Sequence, residues 1–253
     1  MKKLFKMTCA AMMAATMVGC GADASDENTI MIGISPDYAP YESIDAKTKE
    51  MVGFDVDMIA WFEEYLSEAE GVEYNLEFKQ MNFDNIITQL QGDQVDLGVA
   101  GFSYDEDRKV EWSNPYLGSS QVAVVPTGSS IASLEDLAGK KIGVQSGSTG
   151  ETAAKEIEGA DVASLKAVTD LMSGLAANQF DAVVIDLGVA QNYVANGNFD
   201  LIDGELANEK NYIIAKDGNT EVMEKINKCI DAFVESDEYA QLCKEYGLTP
   251  LTK

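Results

Sequence analysis

The chain has 253 residues, with 18 Lys and Arg against 43 Asp and Glu for a formal net charge of −25, and it contains no His. A charge of that sign repels a phosphate backbone and excludes nucleic-acid binding. The lack of His excludes Ser-His-Asp and Cys-His pairs and any His-ligated metal within the chain. With 46% hydrophobic residues the body is globular, long enough for one large domain or two modest ones.

Lys2, Lys3 and Lys6 precede an uncharged run from Met7 to Val18. The run is too short to span a bilayer comfortably and has the layout of an export signal. It closes on Met17-Val18-Gly19-Cys20, which resembles a bacterial lipobox with Met17 where Leu is usual. The expectation is a lipoprotein signal over residues 1–19, lipidation (palmitate) of Cys20, and a flexible tether over 20–28. An ordinary signal peptide with a chance Cys is the alternative. Cleavage leaves 15 bases against 43 acids, a net charge of −28, which an anionic membrane surface repels. In an exported chain Cys229 and Cys243 read as a disulfide, with two buried thiols as the alternative.

The body alternates strands and helices. A strand is predicted over Thr29–Ser35, and a helix over residues 56–69 capped by Asp55, with Met58, Phe62, Leu66 and Ala69 on one face. Strand 73–79, helix 83–91 and buried strand 95–100 follow, then strand 121–125 ended by Pro126. Ser133-x-x-Asp136 reads as a capping box. Next come strand 141–145, a small-residue turn at 146–150 with a helix to about 158, helix 171–178, strand 182–185 and helix 188–195. Strand 212–215 and helices 220–235 and 237–246 end the pattern. Such alternation argues for parallel-rich sheets covered by helices.

Several segments point to one family. Gly53-Phe54-Asp55-Val56-Asp57-Met58 resembles the signature of the extracellular solute-binding proteins of family 3, the polar amino-acid receptors of ABC importers. Upstream stands Ser35-Pro36-Asp37-Tyr38-Ala39-Pro40-Tyr41-Glu42, and downstream Asp96-Leu97-Gly98-Val99-Ala100-Gly101-Phe102-Ser103, Arg108 and Trp112-Ser113-Asn114-Pro115-Tyr116. Leu137 to Thr149 and Asp181 to Asp186 complete a similarity over about residues 30–247.

The resemblance implies an α/β, two-lobe periplasmic-binding-protein-like fold, each lobe a mostly parallel sheet flanked by helices, joined by two hinge strands. Residues 29–121 plus 214–253 would form the first lobe and 122–213 the second. It implies a monomeric, extracytoplasmic receptor, anchored to the membrane by lipid alone. That receptor would bind a free polar amino acid between its lobes and deliver it to the membrane subunits of an ABC importer.

A zwitterion held out of water needs both charges matched. The resemblance places Arg108 on the ligand α-carboxylate, where a guanidinium fork can donate two parallel bonds. The alternative is a surface pair with Asp105 or Glu111. Asp186 is implied to meet the ligand ammonium, with a helix N-cap as the compatible alternative. Ala100, Gly101 and Ser103 end a buried strand, where open α/β sheets bind ligands. Ser148, Thr149 and Gly150 precede a helix whose N–H groups favour an anion; they lack the Gly-Lys-Ser/Thr of a phosphate loop. Tyr38 and Phe83 match the family's flat side chains around the ligand's aliphatic part, with core packing as the alternative. Tyr41 and Trp112 are assigned to core or rim.

Ser35 stands where basic- and amide-binding relatives carry Asp, and Gln145 suits a polar uncharged side chain. Glu42 could still offer negative charge, which keeps a basic ligand open. The pairs Asp55/Asp57 and Asp105/Asp107 are expected by chance among 43 acids, so no metal and no cofactor are expected. The rival class is an enzyme of the same fold, a dehydratase of cyclic carboxylates needing a general acid such as Glu42 or Glu151. A sensory input for signalling differs only in partner.

Overall fold

The computed structural model describes residues 28–251. The signal, Cys20 and the tether up to residue 27 lie outside them. The chain opens with β1 (Thr29–Ile34) and a small antiparallel meander of β2 (Asp37–Tyr38), β3 (Glu42–Ile44) and β4 (Met51–Val52). Then follow α1 (Phe54–Glu70), β5 (Asn75–Gln80), α2 (Phe83–Gln91), β6 (Leu97–Ser103), β7 (Val110–Trp112) and the long β8 (Leu117–Pro126). After a short 3-10 turn come β9 (Lys141–Gln145), α3 (Thr149–Lys155), β10 (Asp161–Leu165), α4 (Val168–Ala176), β11 (Ala182–Asp186), α5 (Leu187–Asn196) and β12 (Phe199–Leu201). The second long strand, β13 (Ala207–Lys216), then leads to α6 (Thr220–Phe233) and α7 (Asp237–Tyr246).

One curled sheet runs in the order β10-β9-β11-β8-β13-β6-β1-β5. Its two ends are parallel, β10-β9-β11 and β6-β1-β5, as each strand is separated from its neighbour by a helical crossover. Its middle is antiparallel: β8 and β13 pair with each other from Leu117↔Asn211 to Gln121↔Ala207. These two ten-residue strands carry the chain from one half to the other and back. The result is a two-lobe α/β fold, its parallel ends being the cores of the lobes.

Burial follows the strand periodicity. In the first lobe α1 lays Phe54, Met58, Ile59, Phe62 and Leu66 against the sheet, while α2 closes the other face with Phe83, Ile86 and Leu90. In the second lobe Val144, Ala154, Ala182 and Val184 form a separate cluster under α3. The predicted capping box at Ser133 and Asp136 is present and starts a four-residue 3-10 turn.

Two local expectations are corrected. Asp55 does not cap α1; Gly53 does, at φ 139°, and a Cβ there would collide with the Tyr41 carbonyl. Asp55 lies inside the first turn, 0% exposed, and accepts a hydrogen bond from the Tyr116 hydroxyl at 3.1 Å. Cys229 and Cys243 are free thiols, not a bridge. Both face the core from α6 and α7, where burial pushes their pKa values up to about 12 and about 11, so they behave as small apolar residues.

Candidate functional site

Where the long strands cross between the lobes, β6 delivers Ala100, Gly101 and Ser103, and the loop after it delivers Arg108. Ala100 packs with Phe83 and Phe102 in the core beneath. Gly101 has φ +58°, and a Cβ on it would stand 3.2 Å from the Tyr38 ring, so glycine lets that ring lie on the backbone. The Gly101 carbonyl accepts from Asn211 Nδ2 at 3.0 Å.

The Arg108 side chain is only 8% exposed. Phe83 and Phe102 stack at 4.7 Å, and the guanidinium carbon lies 5.7 and 5.5 Å from their ring centres. Its Nη1 donates to the Ser103 carbonyl at 3.3 Å and its Nη2 to the Gly147 carbonyl of the other lobe at 2.8 Å. The Asp105 carboxylate is 3.7 Å from Nε, so the expected surface pair forms as well, but it does not draw the fork out to solvent.

Asp186 ends β11, 1% exposed. Oδ1 accepts from the Tyr41 hydroxyl at 2.8 Å and from the Gly188 amide at 2.9 Å, and Oδ2 accepts from the Ser119 hydroxyl. Burial raises its pKa, while these donors pull it down. All of them donate to it, which is the arrangement of an ionised carboxylate. Asp186 thus caps α5, and Tyr41, assigned to core or rim, is its direct partner.

The second lobe adds Gln145, Ser148 and Thr149. Ser148 caps α3: its hydroxyl accepts from the Glu151 amide at 3.1 Å and donates to the Gln145 carbonyl at 2.8 Å. Gln145 is 3% exposed and donates through Nε2 to the Lys166 carbonyl at 3.4 Å. The Thr149 hydroxyl donates to Glu209 Oε2 at 3.1 Å, and Gln121 Nε2 donates to the same oxygen at 3.0 Å. Glu209 acts electrostatically on both Arg108 and Asp186, which places it at the crossing point. A crevice of about 270 Å³ opens beside it between the lobes, lined by Tyr104, Asp105, Thr149, Thr152 and Glu209 among others.

Glu42 does not face this crevice. It is 0% exposed, with both carboxylate oxygens buried and without a hydrogen-bond partner. Burial and the neighbouring Asp55 and Asp37 charges push its pKa well above the carboxylate range. Sealed off in this way, it supplies no charge to a ligand in the crevice. Glu151 is committed to the Gly147 amide, Ser164 and Lys155.

Three residues that bond to the candidate site residues carry no local sequence signal: Ser119, Glu209 and Asn211. They sit on β8 and β13, and their partners lie 60–170 residues away, so only pairing of the long strands reveals them. Among the described residues no group of three or more acidic or Cys side chains could hold a metal ion, and no helix is long and apolar enough to cross a membrane.

The sequence profile of the bacterial extracellular solute-binding proteins, family 3, matches residues 30–249, and the chain belongs to that family. It is 31% identical to the arginine-binding extracellular protein ArtP of Bacillus subtilis (strain 168), over 97% of this chain and 98% of that one. It is 27% identical to a probable histidine-binding protein of Neisseria gonorrhoeae, over 95% and 92%. An ancestral arginine-binding protein solved bound to arginine superposes with a TM-score of 0.78 at 34% identity, covering 87% of this chain and 98% of that one. An ancestral arginine-binding protein solved bound to glutamine superposes with a TM-score of 0.77 at 33% identity, covering 88% of this chain and 99% of that one.

Proposed function

We propose that the chain is a non-enzymatic receptor that clamps a polar α-amino acid between its lobes and hands it to an ABC importer. The observation that supports this reading is a guanidinium and a carboxylate of opposite charge carried by opposite lobes, with Glu209 acting electrostatically on both. Arg108 comes from the first lobe, backed by aromatic rings, and Asp186 from the second, backed by three donors. A zwitterion fits such a pair, its carboxylate on the guanidinium fork and its ammonium on the carboxylate. Tyr38 and Phe83 flank the aliphatic part, and the backbone of Ala100, Gly101 and Thr149, with the Ser103 and Ser148 turns, frames the polar end. The lobes are residues 29–121 plus 214–253 and residues 122–213, the two changeovers falling inside β8 and β13. Closure then follows from contacts that exist only when both lobes meet the ligand.

For the side chain, the surroundings are rich in acceptors. Glu209, which lines the crevice, accepts hydrogen bonds from two neighbours through Oε2, and Asp105 adds a second carboxylate to the lining. That favours a side chain ending in N–H donors, in line with the arginine, histidine and glutamine named for the relatives. Calorimetry with L-arginine, L-histidine and L-glutamine tests the reading. At least one should bind, and Arg108→Ala should weaken it by on the order of 3–5 kcal/mol, several hundred-fold or more. Binding of no free amino acid, or wild-type affinity in the Arg108 variant, refutes it.

Residues 1–19 act in this reading as a lipoprotein signal, and Cys20 as the acylated anchor. The mature monomer works on the outer face of the membrane, where importer subunits are its partners. The enzyme alternative lacks support: its best acid, Glu42, is sealed off from the crevice.

A further inference from the structure

Helix α4 begins Ala167-Val168-Thr169-Asp170. An alanine at the N-cap has no side-chain oxygen to accept from the first turn, and Ala167 makes no such bond. The acceptor comes from the other lobe. Asp37 Oδ2, on β2, receives the Val168 amide at 2.7 Å from 131 residues away, while Ser35 Oγ donates to Asp37 Oδ1 at 2.9 Å and holds the carboxylate in place. Two residues earlier, Lys166 Nζ meets Asp84 Oδ2 of the first lobe at 3.1 Å. The segment 166–168 of the second lobe is thus gripped by two acids of the first.

We propose that Asp37 caps helix α4 in trans, as a positioning residue for the closed receptor. Lobe closure supplies the cap that the helix lacks in its own sequence, and opening removes it. A negative charge on a helix N-terminus is stabilising, and a carboxylate accepting a backbone N–H is a charge-assisted bond. The closed arrangement is therefore held by groups of the protein itself, in addition to any ligand. Asp170, in the first turn of α4, opposes the Asp37 charge electrostatically. Ser35 keeps Asp37 on the amide despite that repulsion.

Amide hydrogen exchange on the ligand-free protein tests this without reference to any amino acid. In Asp37→Ala the Val168 amide should exchange about tenfold faster or more, with the Leu171–Leu175 amides changed by less than about twofold. The radius of gyration from small-angle scattering should rise in the same variant. Asp37→Asn keeps an acceptor oxygen and should recover part of the protection; it is also the variant to read if Asp37→Ala does not fold. Val168 exchange within about twofold of wild type in a folded Asp37 variant overturns the proposal. The effect on retention rests on the receptor reading and is measured separately. With L-arginine as the probe, Asp37→Ala should raise the off-rate about fivefold or more and leave the on-rate within about twofold. Should L-arginine not bind, the rates are read with L-histidine or L-glutamine; binding of none of the three counts against the receptor reading alone, while the exchange result stands.

Discussion

The Tyr41 hydroxyl of the first lobe donates to Asp186 Oδ1 of the second across 2.8 Å, and both side chains are at most 1% exposed. The bond joins the lobes and fixes a buried carboxylate, the one that the receptor reading assigns to the ligand ammonium. Tyr41→Phe removes that donor and leaves the Ser119 and Gly188 bonds. The cost of one charged hydrogen bond is about 1.5–3 kcal/mol, so affinity should fall roughly ten- to a hundredfold. Titration calorimetry with the bound amino acid reads it; an unchanged constant would detach Tyr41 from the site.

Gly101→Ala should lower stability by about 1–3 kcal/mol, because its φ of +58° is strained for alanine. The new methyl would also press the Tyr38 ring, 3.2 Å away. Urea denaturation measures the loss. A variant as stable as wild type would show that the ring yields without cost.

The buried acids Glu42 and Asp55 make stability depend on pH. The Asp55 pKa is raised to about 7 by burial, and that of Glu42 well above its usual range by burial and the Asp55 charge. Both folded values exceed those of the unfolded chain, so between about pH 4 and pH 7 the folded state keeps protons that the unfolded state has released. Stability from this pair is therefore highest in acid, falls as pH rises through that window, and levels off once the pair has titrated. Glu42→Gln keeps the shape of the buried group and does not ionise. Denaturation at pH 5 and pH 8 should show a smaller decline in the variant, by on the order of 1–3 kcal/mol. Equal declines in both proteins would mean that the pair does not titrate in that window.

Cys20→Ser should abolish palmitate labelling and release the protein from the membrane fraction into the medium or periplasm, with amino-acid binding intact. Continued membrane retention of the unlabelled variant would leave the ordinary signal-peptide alternative for residues 1–19, with retention by another route.

Much of the fold was legible because its cues are local. The bounds of α2, β9 and α7 coincide with the predicted ones, since apolar spacing, a Gly turn and a Ser N-cap mark them. The edge strand β10, half exposed along its length, was not predicted, nor were the two- and three-residue strands β2, β3, β4, β7 and β12. Such short or exposed strands exist only through a partner. The candidate site divides the same way. Arg108 and Asp186 announce themselves by motif, whereas Glu209, Ser119 and Asn211 are ordinary polar residues on the two long strands.

The sequence by itself determined the charge, the exclusion of histidine chemistry, the α/β alternation and the family, since each is a property of composition or of order along the chain. Only the tertiary structure decided that Asp55 is buried and not a cap, that Glu42 is sealed below the crevice, that Cys229 and Cys243 are free, and that Asp37 reaches α4. Those facts depend on which distant groups become neighbours, and burial and hydrogen bonding act through space, not along the chain.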